Sequence, residues 1–210
     1  NNIVYFAGFY WQIVRINGDG SIRLMYDGTV KNASYTQQSI NNRTYPFNSN
    51  YNDPAYVGYK YGNPDSTTFD EVHTNTISST IKTTVDNWYK TNIVDKGYSS
   101  YVSNAVGFCG DRTLTGGDGI STSIYSYFGA YERYSKNAAQ LTCPNKERDL
   151  YTTTDSNVGN NSLTYPVGLI TYDELVFAGM DGRHINKLSY IYSNKYYWTM
   201  SPSIFSATGN

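Results

Sequence analysis

The first 28 residues contain two apolar runs separated by a short polar segment. The runs are Trp11–Ile16 and Ser21–Tyr26, and residues 17–20 between them have the sequence Asn-Gly-Asp-Gly. Because Asn and Gly tolerate the positive φ angles of tight turns, this arrangement predicts a β-hairpin. Asp27-Gly28 is expected to end the second strand, and the opening residues 1–5 predict a further strand.

A helix is predicted where apolar residues first recur at helical intervals. Four residues carry the pattern: Ile77, Ile81, Val85 and Trp88. Their spacing predicts a helix over 76–89 whose apolar stripe faces the core. Gly97 is a suitable stop for this helix. The polar side chains between the apolar positions are expected to face water: Lys82, Asp86 and Lys90.

A second helix is predicted from its start and stop signals. Thr171 and Glu174 have the spacing of a capping box, in which each side chain bonds the other residue's backbone N–H. Asp173 and Glu174 also suit the positive end of the helix dipole. Gly179 follows the apolar continuation and is a natural residue for the helix stop.

The remaining segments lack a sustained hydrophobic period. Residues 29–75 and 98–165 are rich in polar and turn-forming residues, and both are expected to be long and irregular. Lys195–Pro202 predicts a last strand that the proline stops. Because such a strand needs a partner, we expect the natural protein to continue beyond Asn210. The chain is therefore predicted to be one α+β domain over 1–210, with a loop-rich insertion at about 98–165.

The composition makes this core unusually aromatic. Only 39% of the 210 residues are hydrophobic, yet 23 are tyrosine. Tyrosine combines a large apolar ring with a polar tip, so an aromatic core can remain compatible with water. Charged residues make up only 16%, against a typical quarter. Asn, Ser, Thr and Tyr therefore supply most of the polar surface, which is common in exported bacterial proteins.

The charge distribution argues against a nucleic-acid partner, and the apolar runs are too short for a membrane-spanning helix. The net charge is −1, and no basic block is present to neutralise nucleic-acid phosphates. No nucleic-acid partner is predicted. The chain also has no apolar run of the roughly 18 residues that a membrane-spanning helix requires.

The two cysteines bear on the cellular compartment. Cys109 and Cys143 both lie among turn-forming residues, whereas structural free cysteines prefer apolar interiors. This placement favours a disulfide, although spacing alone does not prove the bond. It would close a loop of about 34 residues and add roughly 3–4 kcal/mol on the chain-entropy account. A disulfide and an Asn/Tyr-rich surface together favour a secreted or cell-surface location.

Five blocks of sequence resemble an uncharacterised family of surface-anchored domains from Gram-positive, often gut-dwelling bacteria. The blocks are the hairpin Trp11–Tyr26, the helix Thr76–Tyr89, Phe108–Arg112, Tyr165–Glu174 and Tyr197–Pro202. The family is distantly similar to the C-type-lectin-like fold, which also houses formylglycine-generating enzymes. The resemblance implies a surface location, the Cys109–Cys143 pairing, and a twisted antiparallel sheet with two helices and long irregular loops. It brings no catalytic residues, and the cysteines do not match the copper-binding pair of those enzymes.

Two groups of residues with side-chain oxygens resemble parts of known sites. Asn17, Asp19 and Ser21 place oxygen atoms at alternate positions, as a calcium loop does, but its twelfth position is Gly28 rather than an acid. A hairpin turn explains them more simply. The pairs Asp70-Glu71 and Asp173-Glu174 would serve glycoside hydrolysis only if two carboxylates met across a sugar. Adjacent residues of one helix do not face each other. The remaining route is that Asp70 or Glu71 meets Glu132 or Glu174 in space.

The histidines and the glycine-rich run give no sharper site. His73 and His184 are the only histidines, and no Cys/His spacing matches a zinc site. His184 is expected in a solvated loop, and the alternative of a general base lacks a nearby nucleophile. Residues 115–119 have glycines but no phosphate-binding lysine, so they predict a flexible tip. No cofactor and no metal are predicted.

The segment 190–197 is the candidate binding surface. Tyr, Ser and Asn are the residues that evolved binding loops use, because Tyr gives rigid amphipathic area and Asn adapts its hydrogen bonds. The alternative is an ordinary hairpin that turns at 193–194. The binding candidates are Tyr190, Tyr192, Asn194 and Tyr196.

These observations predict a non-catalytic, secreted or cell-surface binding module that contacts glycan or protein through Tyr/Asn-rich loops. Two alternatives stay open. One is a structural subunit of a surface appendage or layer, and the other is a glycan-acting hydrolase in a lectin-like fold.

Overall fold

The computed structural model describes residues 2–31, 38–153, 158–180, 186–193 and 195–207. Most elements in these ranges are short. The strands are β1 (Ile3–Phe6), β2 (Phe9–Ile16), β3 (Ile22–Gly28), β4 (Lys60–Tyr61), β5 (Ile77–Ser78), β6 (Phe108–Cys109), β7 (Leu114–Gly116), β8 (Ser126–Phe128), β9 (Leu150–Tyr151) and β10 (Ile204–Phe205). The helices are α1 (Phe69–Val72), α2 (Thr80–Tyr89), α3 (Gly129–Lys136), α4 (Lys146–Asp149) and α5 (Tyr172–Phe177). A π-helical turn, Lys90–Val94, continues α2, and 3-10 turns lie at Ile40–Asn42, Pro54–Tyr56 and Ser99–Tyr101.

The predicted hairpin is confirmed. β2 pairs antiparallel with β3 and reaches Ile16 opposite Ile22, while β1 pairs antiparallel with β2. The Asn17 amide donates to the Ser21 carbonyl at 2.8 Å and so closes the turn. Gly20 has a φ of 84°, which a residue with a side chain rarely adopts. This three-stranded sheet is the largest run of regular strand pairing in the described residues.

The other sheets of the described residues are smaller and also antiparallel. β8 lies between β10 and β7, β4 pairs with β5, and β6 pairs with β9. The chain thus has mixed α and β structure with small antiparallel sheets and few helices, as the α+β prediction required. The C-type-lectin-like arrangement stays a prediction.

The helix expected over 76–89 is present, but it begins later. Ser79 caps it by accepting from the Lys82 amide at 3.1 Å, so α2 starts at Thr80. Ile77 lies instead in β5 and is 41% exposed. Gly97, with a φ of 79°, follows the turn that ends at Val94. The helix begins after Ile77, the first residue of the apolar stripe, because the Ser79 cap sets the first helical residue.

The expectation that Lys82 faces water is wrong. Its side chain is 2% exposed and forms an ion pair with Asp86 one helical turn later. Its ammonium also lies 5.8 Å from the centre of the Tyr59 ring, where the face of an aromatic ring attracts a cation. The lysine is therefore buried because an acid and an aromatic face together replace its water.

Two clusters of buried side chains form the core. The first joins α2 to the middle of the chain through Tyr59, Ile81, Val85, Phe108, Tyr151, Leu163 and Met200. The second contains Trp88, Tyr89 and Ile93, and residues of the N-terminal sheet pack against it. Within it the Trp88 ring lies 5.1 Å from Phe9 and 5.2 Å from Tyr26. α2 therefore contributes to both clusters.

Segment 98–165 is more regular than expected. It contains β6, β7, β8 and β9 together with the helices α3 and α4. Phe108 and Tyr151 pair across β6 and β9 and lie in the first core cluster. The pairing of Cys109 with Cys143 is confirmed: the two Cα atoms are 5.5 Å apart, and 34 positions separate them along the sequence. Treating 98–165 as an insertion within one domain stays a prediction.

The strand expected over Lys195–Pro202 is wrong. Its backbone bonds to single loop residues instead of a neighbouring strand: the Met200 amide donates to the Ile170 carbonyl at 2.8 Å. The Trp198 indole donates to the Tyr45 carbonyl, also at 2.8 Å. The strand lies further along the chain, where β10 pairs with β8. No helix in the described ranges has the length and apolar character needed to cross a membrane.

Candidate functional site

A row of five tyrosine rings runs across β8, α3 and α5. We call it the tyrosine ladder, and it consists of Tyr125, Tyr127, Tyr131, Tyr134 and Tyr172. Successive ring centres are 6.3, 5.0, 6.4 and 6.2 Å apart, which is the range of direct ring contact. Tyr125 is 42% exposed and the other four are half-buried. The ladder is thus a continuous aromatic surface that keeps contact with solvent.

The local sequence explains the first half of the ladder. Ser126 and Phe128 are fully buried on one face of β8, so strand alternation places Tyr127 on the opposite face. Gly116 of β7 pairs with Tyr127, and a Cβ atom there would lie 3.1 Å from the Tyr127 ring. A glycine at this position therefore lets the ring lie close to β7. Tyr131 is the next ring, at the start of α3.

The second half depends on two helices that are held together beside the rings. Tyr131 and Tyr134 are three residues apart on α3 and therefore share a face. Tyr172 is the first residue of α5. Arg133 binds both carboxylate oxygens of Asp173 at 2.7 Å, and this bidentate pair connects α3 to α5 next to the contact between Tyr134 and Tyr172.

The predicted capping box at the start of α5 is confirmed. Thr171 Oγ1 accepts from the Glu174 amide at 3.1 Å, and Glu174 Oε2 accepts from the Thr171 amide at 3.0 Å. Gly179 follows with a φ of 88° and ends the helix as expected. The box fixes the orientation of the first turn, and with it the position of Tyr172.

A second feature is a cavity of about 280 Å³ beside the disulfide, which we call the arginine pocket. The Nε atoms of Arg15 and Arg23 both lie 3.2 Å from one carboxylate oxygen, Glu174 Oε1. Burial lowers the pKa of Arg23, and the charge of Glu174 opposes this effect. The charged residues of its lining are four bases and two acids: Arg15, Arg23, Arg133, Lys146, Asp173 and Glu174.

The carboxylate of Asp111 is the second acidic partner of Arg133, in addition to Asp173. Asp111 is fully buried and forms an ion pair with Arg133. Gly129 packs against this carboxylate so closely that a Cβ atom would overlap it. Arg133 is therefore held between Asp111 and Asp173. Burial acts to lower the pKa of Arg133, but the hydrogen bonds and charges of Asp173 and Asp111 together outweigh it, so this pKa is raised.

The acid pairs considered for glycoside hydrolysis take other roles. Asp173 and Glu174 are buried against arginines, as described above. Asp70 is exposed and lies 3.9 Å from Arg148. Glu71 accepts from the hydroxyls of Ser66 and of Thr68, the residue that caps α1, and these hydrogen bonds lower its pKa. Each acid is thus engaged by a base or a cap.

His73 is a core residue in this structure. It is fully buried, and its Nε2 donates to the Gly119 carbonyl at 3.0 Å. Burial lowers its pKa from 6.5 to about 4, because the charged imidazolium is poorly solvated there. His184 lies outside the described residues. Among the described residues, no group of three or more His, Cys, Asp and Glu side chains is placed to hold a metal ion.

Residues 17–21 were considered as a calcium loop or a hairpin turn, and the structure shows the hairpin turn. In this turn Asp19 accepts from the amide and hydroxyl of Ser21 at 3.0 and 2.7 Å.

The prediction of a flexible tip at 115–119 is wrong. Gly119 is buried, and a Cβ atom there would lie 2.6 Å from the Phe69 ring. The glycine is needed for close packing against α1.

The residues predicted to bind a ligand differ in their contacts and exposure. Tyr190 donates from its hydroxyl to the Val14 carbonyl at 3.4 Å. Tyr192 is half-buried, and Tyr196 is fully exposed. Asn194 lies outside the described residues. Residues 187–191 form turns instead of the first strand of a hairpin, and the role of this segment in binding stays a prediction.

Sequence reasoning missed the tyrosine ladder, although part of its signal is present. Tyr127, Tyr131 and Tyr134 recur at four- and three-residue intervals. The contacts to Tyr125 and Tyr172 depend on tertiary structure. Comparison with family models, with curated proteins and with solved structures gives no significant match to this chain.

Proposed function

We propose that this chain is a non-catalytic, secreted or cell-surface module that binds glycans on the tyrosine ladder. The observation that carries this proposal is the unbroken row of five contacting rings, each of which retains exposed surface. A linear glycan presents a row of sugar rings, and each ring has an apolar C–H face and polar hydroxyl edges. A row of tyrosines offers the matching apolar faces and phenol groups.

The chemistry of tyrosine supports a glycan in preference to a protein partner. A tyrosine ring is rigid, with two side-chain torsions, so its immobilisation costs little entropy. Its hydroxyl forms hydrogen bonds at a wet interface. The nearby exposed charges on α3, Glu132 and Lys136, pair with each other at 2.5 Å. The ladder therefore lies beside a locally neutral surface, which suits uncharged sugar rings.

The disulfide supports the proposed location. Bonds between cysteines persist in oxidising compartments and are rare in the cytosol. The Cys109–Cys143 bond links β6 to the loop before α4, and both cysteines line the arginine pocket. The pairing of Asp173 and Glu174 with arginines supports a non-catalytic role, because a general acid or base must exchange a proton with the substrate.

A glycan array probed with the folded chain tests the proposal, followed by calorimetric titration of the best linear hexasaccharide. Tyr131→Ala removes the central ring and is expected to weaken binding at least about tenfold. Tyr131→Phe retains the ring and is expected to retain most of the affinity. Tyr51→Ala is the matched control, since Tyr51 is 82% exposed and lies outside the ladder.

Two results discriminate between the candidate surfaces. Loss of binding in Tyr196→Ala with full binding in Tyr131→Ala would place the glycan on segment 190–197 and overturn the ladder. An absence of any glycan ligand, together with concentration-dependent self-assembly by light scattering, would favour the structural-subunit alternative.

A further inference from the structure

The arginine pocket and the tyrosine ladder meet where α3 packs against α5. The contact between Tyr134 and Tyr172 belongs to the ladder, and the ion pair between Arg133 and Asp173 lines the pocket. Arg133 precedes Tyr134 on α3, and Asp173 follows Tyr172 on α5. The Tyr134–Tyr172 end of the ladder and the pocket therefore share the contact between α3 and α5.

The pocket carries more positive than negative charge. Arg15 and Arg23 share the single carboxylate of Glu174, whose side chain is buried. The Nε atoms of both arginines are buried and have no hydrogen-bond partner of acceptable geometry among the described residues. Lys146 adds an exposed ammonium at the rim. The surplus favours an anion of one to two charges.

The arrangement of the donors favours a carboxylate. Guanidinium groups bind carboxylates in a planar, two-point manner, and such charge-assisted hydrogen bonds are roughly twice as strong as neutral ones. The cavity of about 280 Å³ lies near the lower end of the range for small-ligand sites, so it accepts one sugar-sized group.

We propose that the arginine pocket binds the carboxylate of an acidic sugar while the neighbouring sugar rings lie on the tyrosine ladder. This inference rests on the proposed function and narrows it to carboxylated glycans, such as those containing uronic acids. The pocket supplies the charge selectivity, and the ladder supplies affinity that does not depend on charge.

The test compares neutral and carboxylated hexasaccharides of the same linkage, by calorimetry at low and at moderate salt. Cellohexaose and the corresponding β-linked glucuronic acid hexamer form one pair, and a galactose and galacturonic acid pair forms another. The carboxylated member is expected to bind at least tenfold more tightly at low salt, and added salt is expected to reduce that preference because ions screen the attraction.

Two variants connect the preference to the pocket. Arg15→Met leaves Arg23 on Glu174, so the fold is retained, and Lys146→Met changes only an exposed side chain. Both are expected to bring the carboxylated hexamer close to the affinity of the neutral one, with the neutral affinity unchanged. Lys96→Met, at an exposed lysine outside the pocket lining, is the control and should retain the preference.

The outcomes separate this inference from the proposed function. Equal affinity for both members of each pair, with Tyr131→Ala still weakening binding, would overturn the pocket and leave the ladder in place. Failure of every hexamer to bind would overturn both. Inorganic phosphate that competes as strongly as free glucuronate would show a general anion site and contradict the carboxylate assignment.

Discussion

Arg112 and Asp149 form a fully buried ion pair, with Arg112 Nε 2.9 Å from Asp149 Oδ1 and both side chains without solvent contact. The Arg112 guanidinium also donates to the Lys60 carbonyl at 2.7 Å and to Asn75 Oδ1 at 2.9 Å. The backbone amide of Arg112 donates to the second oxygen of Asp149 at 3.0 Å. One side chain thus connects β4, the turn before β5 and α4.

Arg112→Met is expected to destabilise the fold by about 3 kcal/mol, because removing one member of a buried pair is costly and leaves Asp149 only the ion pair with Arg148 at 3.2 Å. Urea denaturation measures the change in the free energy of unfolding. Lys90→Met is the control: Lys90 pairs with Asp95 on the surface, where water and salt screen the attraction and such pairs contribute little to stability. Equal losses in the two variants would refute a structural role for the Arg112–Asp149 pair.

The buried His73 is expected to make stability depend on pH between about 4 and 6.5. Its pKa is lowered to about 4 in the folded chain, so in this range the unfolded chain binds the additional proton. Stability is therefore highest above pH 6.5 and is lost as the pH falls, by about 2 kcal/mol at pH 5 on this linkage.

Urea denaturation at pH 7 and pH 5 measures this loss. His73→Asn should show a smaller difference between the two pH values than the wild type, whatever its own stability. His184→Asn removes the only other histidine and should retain the wild-type difference. An unchanged difference in His73→Asn would exclude His73 as the source.

Removal of the disulfide is expected to lower the free energy of unfolding by about 3–4 kcal/mol. Cys109 and Cys143 close a loop of 34 residues, and opening it restores conformational entropy to the unfolded chain. The double variant Cys109→Ser/Cys143→Ser measures the effect by urea denaturation without added reductant. As a check, reductant should destabilise the wild type and leave the double variant unaffected.

The two roles of Glu174 are expected to be separable. Thr171→Ala removes one bond of the capping box and should cost about 1 kcal/mol. Glu174→Gln retains an oxygen for the Thr171 amide but removes the charge that Arg15 and Arg23 share, and it should cost about 2–4 kcal/mol. Thermal or urea denaturation measures both losses. Similar losses in the two variants would mean that the capping box alone accounts for the contribution of Glu174 to stability.

The sequence predicted those elements whose signals are local. The hairpin follows from strand formers around the Asn-Gly turn, and α5 follows from the spacing of Thr171, Glu174 and Gly179. Neither signal requires a distant residue. The mixture of helices and strands was likewise expected from these patterns, whereas the division into several small antiparallel sheets was not.

The parts that the sequence did not predict depend on contacts between distant positions. β6 and β9 are two residues each, and their pairing joins Cys109 to Leu150, 41 positions away. Such strands are too short to show an alternating pattern. Lys82 is buried because Tyr59, far away in sequence, lies beneath its ammonium.

The candidate site likewise combines a local sequence signal with contacts that depend on tertiary structure. The helical spacing of Tyr131 and Tyr134 is visible in the sequence, whereas the alignment of Tyr172 with them depends on how α5 packs against α3. The convergence of Arg15 and Arg23 on Glu174 similarly requires the hairpin to lie against α5.

The most direct test of the central claim is an NMR titration of the chain with ¹³C-labelled tyrosine rings against its best hexasaccharide. The account predicts that the resonances of the five ladder tyrosines shift together with one dissociation constant, while those of Tyr5 and Tyr51 stay unchanged. Shifts confined to Tyr190, Tyr192 and Tyr196, with the ladder resonances unmoved, would contradict it.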